Sequence, residues 1–109
     1  MPRGEFLGSL EQIVMLAVVR LGSDAYGMTV RREIEERTGR EISIGAVYAT
    51  LERLEAKGYV SSFTGEATAE RGGRAKRCYG LTKPAVQALK GSRRTLLSLW
   101  AGLEPLLEK

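Results

Sequence analysis

The chain has 109 residues, 43% of them hydrophobic, which suits one domain with a single modest core. It has no histidine and one cysteine, Cys78, so histidine-based catalysis, histidine-containing metal sites and an intramolecular disulfide are excluded. The net charge of +4 favours an anionic partner, and no apolar run is long enough to cross a membrane. These features predict a cytoplasmic protein that is not an enzyme and has no cofactor or metal.

The first predicted helix follows a loose arm, Met1 to Gly8. Ser9 and Gln12 have the spacing of a capping box, and an apolar stripe then runs to Gly22. The stripe consists of Leu10, Ile13, Val14, Ala17, Val18 and Leu21. This spacing predicts an amphipathic helix whose apolar face belongs to the core.

The second predicted helix covers MTVRREIEERTG and ends at Gly39. Val30 and Ile34 share its inner face. Glu33 and Arg37 are four residues apart, a spacing that suits an exposed ion pair. The helix is therefore predicted to be short and amphipathic.

A third helix is predicted from Ser43 to Gly58, with the Ser43 hydroxyl as its N-cap. The inner face is predicted to hold Ile44, Val47, Leu51, Leu54 and Gly58. The outer face is predicted to hold Ala46, Ala49, Thr50, Arg53 and Lys57, which are small near the start and basic toward the end. Short residues allow close approach to DNA and cations suit phosphates, so the second and third helices predict a helix-turn-helix. The alternative is an ordinary surface helix.

A β-hairpin is predicted next, with strands from Tyr59 to Thr64 and from Arg77 to Leu81. The loop between them is glycine-rich, and four cations lie in or beside it: Arg71, Arg74, Lys76 and Arg77. Such a loop can follow a DNA backbone or enter a minor groove, and the alternative is a solvated hairpin tip. Three helices and a hairpin predict a winged helix-turn-helix over residues 1–81, mainly α with a small β-hairpin.

A closing helix is predicted within residues 82–109, as part of the same compact unit. Its apolar stripe has heptad spacing, comprises Val86, Leu89, Leu96, Trp100, Leu103 and Leu107, and is interrupted by Arg93. A three-helix domain cannot cover so long a stripe, so a second copy is expected to cover it and form a homodimer. Pro105 is predicted to end or kink this helix.

The order of these motifs resembles the PadR family of bacterial transcriptional regulators. The resemblance rests on DAYGMTVRREIEERTGREISIGAVYATLERLEAKGYV, a glycine-rich basic wing, RCYGLT and the closing helix, and covers roughly residues 9 to 100. It suggests the short branch of the family, without a separate C-terminal domain. The chain departs from the family's usual LTEAG at Leu81-Thr82-Lys83-Pro84-Ala85, where an ordinary helix start is expected.

The resemblance implies a homodimeric, ligand-responsive repressor that binds a pseudo-palindromic operator in double-stranded DNA. It places Ser43 and Gly45 to Tyr48 at the start of the recognition helix, with Tyr48 on the DNA backbone. The alternative for Tyr48 is a core residue with a satisfied hydroxyl. Tyr26 and Gly27 match the start of the second helix, where the local amides are expected to meet phosphate, and the alternative for Tyr26 is packing.

Trp100 and Leu96 are the candidate effector site by the same resemblance, because some short members stack planar or phenolic ligands on aromatic residues of the closing helix. The alternative for Trp100 is an interface anchor. Cys78 is expected to be a small buried hydrophobe, with a redox switch as the alternative. A winged-helix adaptor that binds protein is the alternative function, and a steep salt dependence of binding would favour DNA.

Overall fold

The computed structural model of the protein describes residues 7–67 and 75–107, which form a winged helix-turn-helix with a closing helix, as predicted. The helices are α1 (Ser9–Leu21), α2 (Gly27–Thr38), α3 (Ile44–Ala56), α4 (Lys83–Trp100) and the one-turn α5 (Glu104–Leu107). A short 3-10 helix, Gly22–Asp24, separates α1 from α2. The antiparallel strands β1 (Val60–Ala67) and β2 (Ala75–Leu81) form the wing hairpin.

The ends of the second and third helices are those that the sequence predicts. The Ser43 Oγ accepts a hydrogen bond from the Ala46 amide at 3.0 Å and caps α3. Gly39 and Gly58 follow α2 and α3 with φ of 73° and 80°, in the left-handed region that favours glycine. After α3 the Gly58 amide donates to Glu55 O at 3.0 Å and the Tyr59 amide donates to Leu54 O at 2.9 Å, which closes a Schellman motif.

Two predicted helix boundaries are wrong. Gly8, rather than Ser9, is the N-cap of α1, and its amide donates to Glu11 Oε1 at 3.0 Å. α4 ends at Trp100 instead of Pro105, because Gly102 adopts a left-handed φ of 84°. Pro105 lies inside α5, where the first helical turn tolerates proline.

One core joins α1, α2, α3 and the hairpin. Its fully buried side chains include the predicted inner positions Val14, Val30, Val47, Leu51 and Leu54, together with Met15, which the predicted stripe omits. Tyr59, Val60 and Tyr79 add the inner side of the hairpin to this core. The hairpin therefore packs against the helices along one of its faces.

The segment before α2 lies along the free edge of β2. Tyr26 forms an antiparallel bridge with Cys78, and the Tyr79 amide donates to Ala25 O at 2.8 Å. Cys78 is fully buried and, as the one cysteine of the chain, forms no disulfide within it, which supports its interpretation as a small hydrophobe. The start of α2 and the wing hairpin are thus held side by side.

The C-terminal half of α4 leaves the core. Ala85 is buried and Leu89 half-buried, whereas Leu96, Leu97, Leu99 and Trp100 are exposed. Within the described ranges, no helix is both long and apolar enough to span a bilayer. The exposed side chains of Leu96, Leu97, Leu99 and Trp100 form an apolar surface beyond the winged-helix domain.

Candidate nucleic-acid interface

Tyr48 of α3 lies against the first residue of α2. A Cβ atom added to Gly27 would lie 2.4 Å from Cζ and 2.5 Å from Oη of Tyr48, so the phenol packs directly on the Gly27 backbone. Tyr48 is half-buried, so its ring packs while part of the side chain meets solvent. The first amides of a helix lack intrahelical acceptors and carry partial positive charge. A hydroxyl donor beside such a helix start is an arrangement that can bind a phosphate.

Thr29 fixes the turn that leads into α2. Its Oγ1 accepts from the Tyr26 amide at 3.0 Å and lies 2.5 Å from Asp24 O, to which it can donate. The Tyr26 side chain is only 2% exposed, and the Lys76 ammonium lies 4.7 Å from its ring centroid. Of the two interpretations of Tyr26, its burial supports packing of the side chain, and a contact of the local amides with phosphate stays a prediction.

The outer face of α3 is small near its start, with one correction. Ser43, Gly45 and Ala49 are exposed and Ala46 is half-buried. Thr50 is only 1% exposed and its Oγ1 donates to Ala46 O at 2.8 Å, so the prediction that it points outward is wrong. The spacing could have revealed this, because Thr50 follows Val47 by three residues and precedes Leu54 by four.

The basic end of α3 is paired with α1. Lys57 Nζ lies 2.8 Å and Arg53 Nε 3.8 Å from Glu11 Oε2, and the Glu11 side chain is nearly buried. Burial by itself raises the pKa of Glu11. The Lys57 hydrogen bond, the Gly8 amide and the nearby positive charges together lower this pKa by more than burial raises it, so it lies below 4.5. The sequence analysis missed this pair, although Glu11 has core spacing to Val14 and Val18.

Two of the four predicted wing cations are paired within the chain. Lys76 Nζ lies 3.2 Å from Asp24 Oδ1, and this hydrogen bond raises the pKa of Lys76. Arg77 Nη2 lies 2.9 Å from Glu55 Oε1. Arg71 and Arg74 lie outside the described residues. Lys76 therefore connects the wing to the 3-10 helix before α2, and Arg77 connects it to α3.

A second candidate site is an open groove between α1 and α4, here called the α1–α4 groove, with a volume of about 540 Å³. Leu96 and Trp100, the two candidate effector residues, both line it, and Trp100 is 44% exposed. The remaining lining residues are Gln12, Leu16, Val19, Leu81, Val86, Leu89, Lys90, Arg93 and Leu97. The structure thus brings the two residues together on an apolar surface.

The parts of the chain that the structure describes contain no cluster of three or more acidic or cysteine side chains suited to a metal ion.

The exposed recognition face of α3, the Tyr48 phenol at the start of α2 and the adjoining hairpin define a winged-helix DNA-binding domain.

The model of the transcriptional regulator PadR-like family matches residues 15–90. The chain belongs to this family, as the resemblance predicted. Its members are transcriptional regulators that bind DNA, a role that is not enzymatic.

Solved structures of regulators share the fold over most of the chain. A PadR-like regulator from Bacillus cereus has a TM-score of 0.70 at 16% identity, with 92% of each chain covered. A PadR family regulator from Eggerthella lenta has a TM-score of 0.67 at 23% identity, covering 92% of this chain and 87% of that one. RosR from H. salinarum has a TM-score of 0.64 at 26% identity, covering 88% and 79%. Comparison with curated proteins found no significant match.

Proposed function

We propose that the protein is a homodimeric, ligand-responsive repressor that binds a pseudo-palindromic operator. The two α3 helices enter successive major grooves about 34 Å apart. The observation that carries this proposal is the α1–α4 groove together with the exposed apolar C-terminal half of α4.

The dimer is argued from contiguous exposed apolar surface. Leu16 and Val19 of α1 face the groove from one side and Val86, Leu96 and Leu97 of α4 from the other, and all five are substantially exposed. Single exposed apolar residues are ordinary, but a continuous patch marks an interaction site. Under two-fold symmetry, the C-terminal half of each α4 fills the groove of the other copy and buries both surfaces at once.

The proposed DNA contacts divide into positioning and reading. Tyr48, with the start of α2, holds a phosphate and fixes the docking of the domain. Ser43, Gly45, Ala46 and Ala49 allow α3 to approach the base edges closely, where small side chains can contact thymine methyl groups. Arg71 and Arg74 of the wing, and Arg53 in the last turn of α3, supply sequence-independent attraction to the DNA backbone.

Leu96→Glu tests the dimer, with Gln87→Glu as its control. Both changes add one negative charge to α4, but Leu96 lines the groove whereas Gln87 is exposed and absent from its lining. We expect L96E to be monomeric by analytical ultracentrifugation because burying a carboxylate among the apolar side chains of the interface is costly. A duplex that the parent protein selects from a randomised pool, the selected duplex, should bind L96E on the order of a hundredfold more weakly, since the second half-site no longer adds avidity.

Q87E should remain a dimer with parental affinity for the selected duplex. A dimeric L96E variant that binds this duplex as tightly as the parent would contradict the proposal. Rising salt should weaken binding steeply, because phosphate contacts release counterions. A flat salt dependence would favour the protein-binding adaptor instead.

The proposed effector is a planar or phenolic molecule held between the two copies beside Trp100. Its binding changes the separation of the two α3 helices. Only a difference in its affinity for the DNA-competent and DNA-released states can then dissociate the operator.

A further inference from the structure

We propose that Glu55 is a positioning residue for operator recognition, which fixes the angle between the wing hairpin and α3 without touching DNA. The proposal rests on the DNA-binding role proposed above. Glu55 Oε2 accepts from Ser62 Oγ at 2.8 Å, and Glu55 Oε1 accepts from Arg77 Nη2 at 2.9 Å. One carboxylate of the recognition helix is thus bonded to both strands of the wing. We call this arrangement the Glu55 clasp.

The clasp lies where α3 passes into the hairpin. Glu55 occupies the last turn of α3, and a tight turn through Gly58 leads directly into β1. Ser62 pairs with Tyr79 and Thr64 pairs with Arg77, with the Phe63–Cys78 pair between them, so the two clasp donors lie on the same face of the hairpin. The clasp therefore resists rotation of the hairpin about that turn, which a single hydrogen bond to one strand would not do.

A second contact holds the hairpin from the α2 side. The Lys76 side chain is only 13% exposed, and its ammonium bonds Asp24 and lies over the Tyr26 ring. The hairpin is therefore tied to α3 by Glu55 and to the start of α2 by Lys76. Those are the two helices that Tyr48 joins, so the wing, the recognition helix and the proposed phosphate site form one unit.

The sign of the effect on DNA affinity separates positioning from simple electrostatics. Removing a carboxylate near DNA lowers repulsion and should by itself tighten binding to any duplex. Loss of the clasp should instead weaken binding to the selected duplex, because the wing no longer reaches its position beside the recognition helix. Glu52 is the matched control, being an exposed residue of α3 whose side chain forms no hydrogen bond or ion pair in the described part of the chain.

The experiment compares Glu55→Ala, Glu52→Ala, Ser62→Ala and the Glu55/Ser62 double variant, all confirmed as folded by circular dichroism. Affinities are measured for the selected duplex and for a scrambled duplex of equal length. We expect E55A to weaken binding to the selected duplex roughly tenfold and S62A roughly threefold, because charged hydrogen bonds are lost. The double variant should match E55A, since both changes break the same clasp. E52A should not weaken binding to either duplex.

Several results would overturn the proposal. If E55A tightens binding to both duplexes, Glu55 only competes with phosphate for Arg77. Equal changes in E55A and E52A, or equal losses on the selected and scrambled duplexes, would also contradict positioning. If the parent protein selects no duplex, the proposed function fails, and the clasp is then judged by amide hydrogen exchange in β1 and β2. E55A should accelerate this exchange relative to E52A, and unchanged rates would exclude the clasp.

Discussion

Gly27 determines where the Tyr48 hydroxyl lies. Gly27 does not adopt a positive φ, so its backbone conformation is open to other residues. What the position requires is the missing side chain, since any Cβ would collide with the Tyr48 ring. The most specific DNA-contact residue that the sequence suggests therefore depends on a glycine from another helix.

Gly27→Ala should lower operator affinity because the added methyl group displaces the Tyr48 phenol from the start of α2. We expect a loss of about tenfold, similar to that of Tyr48→Phe, which removes one hydrogen bond to a charged group. Gly91→Ala is the control, because a Cβ there meets nothing within 4 Å. It should keep parental affinity and stabilise α4 by up to about 1 kcal/mol, as expected for alanine in a helix.

Titration of the selected duplex measures these affinities. If G27A binds it like the parent, the proposed phosphate site is misplaced. Losses in G27A and Y48F that add fully in the double variant would show that the two residues act separately.

Among the helices, α1 and α3 are joined by one buried charge. Glu11 Oε2 of α1 accepts a hydrogen bond from Lys57 Nζ at 2.8 Å, and these residues are 46 positions apart in sequence. α1 also supplies Leu16 and Val19 to the α1–α4 groove. Glu11 thus links the helix that is proposed to meet the second copy with the helix that is proposed to read DNA.

Glu11→Gln should lower the free energy of unfolding by about 1–2 kcal/mol near neutral pH, since a charged hydrogen bond is lost. The folded protein holds the pKa of Glu11 below 4.5, so this stabilisation is complete above pH 4.5 and disappears as the pH falls through the lower folded pKa. Urea unfolding at a series of pH values should show the parent and E11Q converging in acid. Glu52→Gln should show no gap at either end, and a constant gap for E11Q down to low pH would contradict the ion-pair explanation.

The helix boundaries that could be predicted are those encoded by near neighbours. The Ser43 cap, the Gly39 and Gly58 terminators and the Glu33–Arg37 pair at 3.0 Å all depend on residues within four positions. The predicted outward position of Thr50 is wrong because a threonine hydroxyl can donate to a carbonyl of the preceding turn, here Ala46 O, and such a threonine can be buried.

The contacts of the wing could not be predicted in the same way. Lys76 and Arg77 look like free cations in sequence, yet their partners Asp24 and Glu55 lie 52 and 22 positions away. Nothing in the local pattern distinguishes a cation paired across the fold from one that waits for phosphate. Trp100 differs from them, because it belongs to the heptad stripe that the sequence predicts to exceed the core, and it is exposed in the structure.

Across the whole molecule, the excess positive charge lies on α4. The chain has 17 Lys and Arg against 13 Asp and Glu. α4 contains Lys83, Lys90, Arg93 and Arg94 but no acidic residue, so the cationic and acidic residues elsewhere balance. Lys90 and Arg93 also line the α1–α4 groove, and none of the described residues that line it is acidic. The proposed effector site therefore has a positive rim above an apolar floor, which favours an anionic aromatic molecule over a planar cation.

Fluorescence of Trp100 can test this site directly, because Trp100 is the one tryptophan in the chain. A panel of phenolic acids and planar cations should quench the emission by stacking on the indole, with the phenolic acids binding more tightly. L96E should lose this response, because Leu96 lines the site and the site is proposed to lie between two copies, whereas Q87E should keep it. The coupling between two binding sites is reciprocal. Saturating the dimer with the selected duplex should therefore lower the affinity for the quenching ligand by the same factor by which the ligand lowers the affinity for DNA. Absence of quenching across the panel would exclude an effector beside Trp100, and quenching that DNA does not alter would leave Trp100 in a binding site without control over the operator.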